Sequence, residues 1–379
     1  MLVLGAGLQG SACAFDLLQN PEVTEVRLAD LHAGHLPAFL APYSGKRLIA
    51  TVLDVRDRDA TTALMRECDA AMSAIPYYFN LDLARLAVEA GTNFCDLGGN
   101  TEIVFEQKKL NGQAIGKGIS VIPDCGLAPG MVNILAEYAI SRLDKTDSVR
   151  IFVGGIPEDP EPPLNYQIVY SLEGVLDYYT TLSWVLRNGK RTQMKALSEI
   201  ELLKFPEPVG ELEAFHTAGG LSTMAFRYEG RIPTMEYKTL RYPGHAKIME
   251  AIRDLGLLEK RPVEVKGVHV VPRDVVISVI GPRLTKPEAR DIVVLRVLAE
   301  GRKAGARKRI GWELIDRFDS TRGISAMERT TGFSLSITGQ MQALGEIENG
   351  VHTPDVCVPA QHYIDELAKR GVLLEPIGD

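Results

Sequence analysis

The chain has 379 residues, 45% hydrophobic and 24% charged, and its 42 Lys and Arg against 49 Asp and Glu leave a net charge of -7. That length exceeds the roughly 100–200 residues of a usual domain, so two cores are expected, and an acidic chain without a dense Lys/Arg tract points to a small-molecule partner and away from nucleic acid. The five cysteines (Cys13, Cys68, Cys95, Cys125 and Cys357) are scattered and odd in number, and no apolar run reaches the ~18–20 residues of a membrane span, which excludes a disulfide framework, a structural zinc site and a transmembrane helix.

In chain order, the first element is an apolar strand, "LVL", followed at once by Gly5, Gly7 and Gly10 in "GAGLQG" and then a helix, "SACAFDLLQN". Only Leu2, Val3 and Leu4 are left for that strand, fewer than the roughly five or six of an ordinary one. The motif also starts too early for a cleavable signal to precede it, and a cytoplasmic location is expected. An acid, Asp30, ends the next strand 20 residues after Gly10. Gly5 would allow the tight turn, Gly7 the approach of backbone N–H groups to a pyrophosphate, and Gly10 close helix–strand packing. Leu8 and Gln9 open the helix whose N-terminus favours the phosphate charge, and Asp30 would bind the adenosine ribose and repel a 2′-phosphate, which selects NAD over NADP.

Short apolar segments then alternate with helical patterns as far as "ISVIPD" (119–124), which predicts βαβ units and a doubly wound parallel sheet of Rossmann type. In such a sheet the residues just after each strand face the ligand, which nominates Asp54 and Val55 near the adenine, Ala74, Ile75 and Pro76 nearer the pyrophosphate or the nicotinamide ribose, and Asp96 with Leu97, Gly98 and Gly99 near the nicotinamide. Asp54 fits a turn or helix-cap role equally well. Asp96 in "CDLGG" and Asp124 in "PDCGLAPG" are the acid–base candidates, each at a strand end where a cleft between domains is expected to open. Bracing of turns is the alternative for both.

After residue 125 a helix, "GMVNILAEYAISRL", leads into longer β-rich runs with little helix between them, which predicts a largely antiparallel sheet in an α+β domain over 126–330. In "YKTLRYPGHAKIMEAI", Tyr237, Thr239 and Arg241 share one strand face while Lys238, Leu240 and Tyr242 share the other. Arg241 offers a planar, bidentate donor set for a carboxylate. His245 is a base, a helix-start donor or a structural histidine, and His216 is a catalytic or a structural one; both are also candidates for substrate contact. Two helices over 331–379 could return to the domain formed by 1–125. The signatures GxSxG, HExxH and GxxxxGK[ST] do not occur, so hydrolase, zincin and P-loop readings have no support.

The segments "VLGAGLQG", "DLGG", "PDCGLAPGMVNILA", "VGGIPEDPEPPLNY", "SLEGVLDYY", "EAFHTAGG", "LRYPGHA" and "RTTGFSLSI" together resemble the saccharopine dehydrogenase-like oxidoreductases, and within them the L-lysine 6-dehydrogenase branch. The resemblance implies a Rossmann domain, an α+β substrate and dimerisation domain with C-terminal helices packed on the first, and a homodimer. It implies NAD-dependent oxidative deamination of the ε-amine of L-lysine, giving 2-aminoadipate 6-semialdehyde and ammonia with no metal. Arg241 matches the position expected to hold the amino-acid carboxylate. Saccharopine reductases tend to carry "GLDPG" and "SWSPxG", where this chain has Ala128 in "GLAPG" and the segment Tyr170 to Gly174, with Glu173 as the side chain offered. Both departures disfavour a saccharopine-sized substrate. A reductase that joins or splits a secondary amine, of the saccharopine or carboxynorspermidine kind, and a nicotinamide-binding protein without turnover are the alternatives.

Overall fold

A computed structural model describes residues 1–379 except Ala33, His35, Tyr170, 287–289 and Asp379. It forms two compact units. The first comprises Met1–Arg142, Ser222–Met224 and Asp319–Leu374; the second comprises Leu143–Leu221, Ala225–Phe318 and the last residues from Glu375.

In the first unit, β1 (Leu2–Leu4), β2 (Val26–Asp30), β3 (Leu48–Val52), β4 (Ala70–Ser73), β5 (Asn93–Asp96) and β6 (Ser120–Ile122) form a parallel sheet in the order β6-β5-β4-β1-β2-β3. A two-residue strand, Gly350–Val351, adds beside β6. The sheet is doubly wound, as the alternation of apolar strands and helical patterns predicts. Although β1 has three residues, all are fully buried, because it lies at the centre and pairs with β2 on one side and β4 on the other.

Side chains that alternate along each strand supply cores to both faces. Leu2, Leu4, Ala71, Phe94 and Val121 pack with Met65, Leu83, Leu86 and Ala114 on one face. On the other face Cys95 and Met72 meet the long C-terminal helix Ala326–Ala343, 16 of whose 18 residues are buried. That helix starts with a capping box: Ser325 Oγ accepts from Glu328 N at 3.1 Å, and Glu328 Oε2 accepts from Ser325 N at 2.7 Å. It lies close against the first helix, Leu8–Gln19, because Gly332 carries no Cβ; one built there would stand 2.7 Å from the Ala12 Cβ. Asp16, buried in the first helix, accepts from Ser336 Oγ at 2.7 Å and from Arg370 Nε at 2.7 Å, which ties both helices to the chain end. The helical stretch before β6 is divided into two helices, Thr101–Lys108 and Asn111–Lys117, with Leu110 turned into the core between them.

The second unit is built on β7 (Lys145–Pro157), β8 (Ser183–Arg187), β9 (Lys190–Met194), β10 (Glu201–Lys204), β11 (Glu211–His216), β12 (Thr234–Arg241), a separate hairpin of β13 (Val263–Val265) and β14 (Val268–Val270), then β15 (Asp291–Lys303) and β16 (Ala306–Arg317). Its main sheet runs β10-β11-β12-β7-β15-β16 and closes with Glu375–Gly378. The pairs are antiparallel except β12 with β7, which are parallel. A parallel pair needs a long crossover, supplied here by everything between Pro157 and Thr234. The sheet is largely antiparallel, as expected, and mixed only through β12 with β7, a pairing that no local pattern encodes.

Candidate active site

The glycine loop joins the centre of the first sheet to its first helix. Gly5 has φ +100°, and Gly10 sits so tightly that a Cβ would come 1.8 Å from the Gly5 carbonyl oxygen. Gly7 differs: a Cβ there would meet nothing within 4 Å. Its lack of a side chain is not needed by the fold, and it leaves room above the loop for a ligand. Leu8 is exposed, while both side-chain amide atoms of Gln9 are buried with no hydrogen-bond partner among the described residues. Such an amide costs free energy unless something supplies a partner, and a dinucleotide on the loop would fit it.

Asp30, at the end of β2, accepts from Ala6 N at 2.8 Å and from His32 N at 2.9 Å, so its carboxylate is held against the loop. Ala74 and Ile75 follow β4; the Ala74 N–H donates to the Leu4 carbonyl, and both residues border Gly5. Pro76 is exposed. Asp54 makes a surface ion pair with Arg56 at 2.6 Å, its hydrogen bonds holding its carboxyl below the usual range, while Val55 packs on the core.

The two strand-end acids meet. Asp96 is fully buried; Oδ1 accepts from Gly98 N at 2.7 Å and from Asp124 N at 3.4 Å, and Oδ2 accepts from Gln107 Nε2 at 2.7 Å. Burial pushes its carboxyl up to about 6 against these donors. Asp124 is left-handed at φ +66°, and its Oδ2 accepts from Ser222 Oγ. Burial pushes it up to about 7; Ser222 opposes this, while the nearby Asp96 and Asp355 add to it. Gly98 makes room for Asp124, since a Cβ there would lie 1.9 Å from Oδ1. Leu97 beside it donates its N–H to the Ser73 carbonyl. A buried carboxyl that titrates near neutrality can take a proton and return it, which is the property a general acid–base group needs.

In the second unit Arg241, the last residue of β12, is buried, and its guanidinium lies 4.8 Å from the centre of the Tyr166 ring. His245 opens the helix His245–Asp254 and is also buried. Its Nδ1–H donates to the Leu164 carbonyl at 3.0 Å, which leaves Nε2 to accept from Tyr179 Oη at 2.9 Å. Burial, then the Arg241 charge, push its pKa down to about 3, so the ring stays neutral with both nitrogens engaged.

His216 does not join this group. It pairs in register with Lys238 and therefore shares that residue's face of the sheet, opposite Arg241. Its Nε2 lies 3.1 Å from Glu199 in a network where Arg150, Arg187 and Lys238 balance Glu199, Glu201 and Glu236. Donor atoms of Glu199, His216 and Glu236 lie within 4.8 Å of one another. However, Arg187 Nη2 stands 2.9 and 2.7 Å from the two carboxylates, so a guanidinium already occupies the place of an ion. The Glu173 side chain is exposed; its carbonyl accepts from Arg273 Nη2 at 2.6 Å, and Tyr170 lies outside the described residues.

Sequence reasoning missed Gln107, Ser222, Tyr166 and Tyr179. Tyr166, Tyr179 and Ser222 act through contacts between distant segments; Tyr166 and Tyr179 do fall in the quoted segments "VGGIPEDPEPPLNY" and "SLEGVLDYY", but nothing there assigns them a partner.

Residues 1–122 match the Saccharopine dehydrogenase NADP binding domain and residues 126–372 the Saccharopine dehydrogenase C-terminal domain. Among curated relatives, saccharopine dehydrogenase [NADP(+), L-glutamate-forming] of Saccharomyces cerevisiae is 26% identical over 299 residues, covering 76% of this chain and 65% of that protein. The mitochondrial alpha-aminoadipic semialdehyde synthase of Rattus norvegicus is 25% identical over 271 residues, 69% of this chain and 28% of that protein. The chain thus spans less than two thirds of the relatives it matches. Its fold follows the apo saccharopine dehydrogenase (L-Glu forming) of Saccharomyces cerevisiae with a TM-score of 0.80 at 21% identity, covering 100% of this chain and 99% of that one. The homospermidine synthase of Legionella pneumophila, in complex with NAD, has a TM-score of 0.69 at 12% identity over 100% of this chain and 91% of that one. Two successive domains of one family account for nearly all of the sequence, and the protein belongs to the saccharopine dehydrogenase family of oxidoreductases, with a nicotinamide-dinucleotide-binding domain at its start.

Proposed function

We propose that the protein is an NAD-dependent L-lysine 6-dehydrogenase, oxidising the ε-amine to 2-aminoadipate 6-semialdehyde and releasing ammonia. One observation carries this reading: two buried acids that titrate near 6 and 7 lie at the carboxyl ends of β5 and β6, in the sheet whose β1 opens the glycine loop. In a doubly wound sheet ligands lie off the carboxyl ends of the strands, so these acids belong to the reacting end of a bound dinucleotide.

Gly5, Gly7, Gln9 and Gly10 would hold the pyrophosphate and Asp30 the ribose. Bound there, the dinucleotide supplies the hydride acceptor for the amine-bearing carbon. Asp124 as carboxylate takes a proton from the ammonium, which frees the nitrogen lone pair that oxidation requires. The acid so formed releases that proton to solvent, and the regenerated carboxylate takes a proton from the water that adds to the protonated substrate imine. Its acid form then protonates the nitrogen of the resulting carbinolamine, and as ammonia departs the carboxylate takes the hydroxyl proton and passes it to solvent. Arg241 is the candidate for the α-carboxylate. Asp30 favours NAD through the charge it would set against a 2′-phosphate, although relatives of the chain are named for NADP.

The test is to mix purified protein with L-lysine and NAD and to follow NADH absorbance from about pH 7 to about pH 10, where a growing fraction of the amine is neutral. Lysine-dependent NADH formation supports the reading, and its absence ends it. The family relationship favours a second reading, the joining or splitting of a secondary amine, as the names of the saccharopine dehydrogenases and the homospermidine synthase state of those proteins. Cofactor oxidation that needs both an amine and an aldehyde would identify it.

A further inference from the structure

We propose that Ser222 is the positioning residue of the acid–base group, its hydroxyl holding Asp124 in place and keeping it available as a carboxylate. Ser222 and its neighbours to Met224 belong to the first unit, although the flanking residues belong to the second. The Ser222 hydroxyl donates to Asp124 Oδ2 across a separation of 98 residues, and both atoms are buried. Each residue is held in the left-handed region, Asp124 at φ +66° and Ser222 at φ +47°. That conformation is uncommon for residues with a Cβ and persists where surrounding structure imposes it. Here the two strained residues meet at a single hydrogen bond, with the other carboxylate oxygen, Oδ1, seated over Gly98.

The surroundings otherwise disfavour the carboxylate. Burial disfavours it most, and the ionisable groups acting on Asp124, which are Asp96 at the end of β5 and Asp355 in the short helix Pro354–Cys357, are both acids and add to that effect. Against them stand the Ser222 hydroxyl and the Gly99 N–H. Loss of the hydroxyl removes a charge-assisted donor from a buried anion, so the proton is held more tightly and a larger share of Asp124 is in the acid form at neutral pH. A serine that merely filled space would leave this balance untouched.

This role rests on the proposed function only where it concerns turnover, and the test separates the two. In full-length protein carrying ¹³C-labelled aspartate, the Asp124 carboxyl resonance, assigned by its loss in Asp124→Asn, is titrated in the wild type, Ser222→Ala, Ser222→Gly and Ser222→Thr. The first two are expected to raise the midpoint by about one pH unit or more, and threonine to restore it. Ser222→Gly tolerates positive φ, so it supplies a folded variant should alanine fail. In parallel, the acid limb of kcat/KM for L-lysine is expected to move upward with the carboxyl midpoint. An unmoved midpoint in a folded Ser222→Ala or Ser222→Gly variant overturns the proposal whatever the substrate. So does a moved midpoint that the acid limb of an active enzyme fails to follow. If the wild type does not turn over lysine, the lysine reading falls, and the carboxyl titration alone decides for or against Ser222.

Discussion

At the scale of single residues, the buried ionisable groups give stability a pH dependence whose sign differs from group to group. Asp96 and Asp124 titrate near 6 and 7 in the folded protein, whereas in the unfolded chain an aspartate ionises near about 3.9. The folded state thus holds protons that the unfolded state releases. Their contribution to stability is complete below about pH 4 and is lost as the pH rises through 6 and 7. Asp124→Asn cannot ionise, so its Tm is expected to exceed that of the wild type by several degrees at about pH 8, the gap closing toward about pH 4. A gap independent of pH would show that Asp124 does not ionise in this range. His245 runs the other way. Its folded pKa is pushed down to about 3, so its contribution is present above about pH 6.5 and is lost as the pH falls toward 3. His245→Gln is expected to flatten the acid side of the same Tm profile. Asp30 is tested by ligand preference: Asp30→Ala is expected to weaken NAD by about tenfold or more in a fluorescence titration while leaving NADP unchanged or tighter, because the loss is a charged hydrogen bond. An unchanged preference would place the acid away from the ribose.

At the scale of elements, the glycine loop separates glycines needed by the fold from one needed by a ligand. A methyl at Gly10 would press on the Gly5 carbonyl oxygen at 1.8 Å, between rigid backbone segments. Gly10→Ala is therefore expected to lose several degrees of Tm along with cofactor binding. A methyl at Gly7 enters open space, so Gly7→Ala is expected to melt like the wild type yet bind dinucleotide about tenfold or more weakly, since the methyl takes room that the pyrophosphate needs. Calorimetric melts together with titrations check both, and a Gly7→Ala protein of full affinity would remove the loop from the cofactor site. This element was legible in sequence because its determinants are local: strand, glycines and helix follow one another within 19 residues. The separation of Arg241 from Lys238 was legible as well, because alternation along a strand is a local rule. Three features were not. The parallel pairing of β7 with β12 depends on a crossover of many residues, and the burial that moves Asp124 and His245 depends on neighbours from other segments. The contact of Ser222 with Asp124 joins two left-handed turns that have no sequence signature of their own.

At the scale of the whole molecule, the first unit is discontinuous in sequence, and its last part is as much core as its first. The helix Ala326–Ala343 closes the sheet face formed by Met72 and Cys95, burying Met327, Phe333, Leu335, Ile337 and Met341. At about 1.5–3 kcal/mol for each large apolar side chain, these five contribute on the order of 10 kcal/mol, comparable to the whole stability of an ordinary domain. The buried Asp16 adds a second dependence, because its partners Ser336 and Arg370 both lie in that last part, and without them a buried acid loses its donor and its counter-charge. A fragment ending at residue 318 retains every strand from β1 to β6 and the entire glycine loop, together with the second unit except its last residues from Glu375. It is expected to expose the apolar sheet face, to bind a hydrophobic dye, to lose dinucleotide binding and to lack the part of the cooperative melt that belongs to the first unit. Adding residues 319–379 as a separate chain during refolding is expected to restore both the melt and dinucleotide binding, because the missing element is a packing surface. Cooperative unfolding of that part in the fragment alone, with NAD binding intact, would show that the strands and their intervening helices suffice and that the C-terminal helix is dispensable to the nucleotide site.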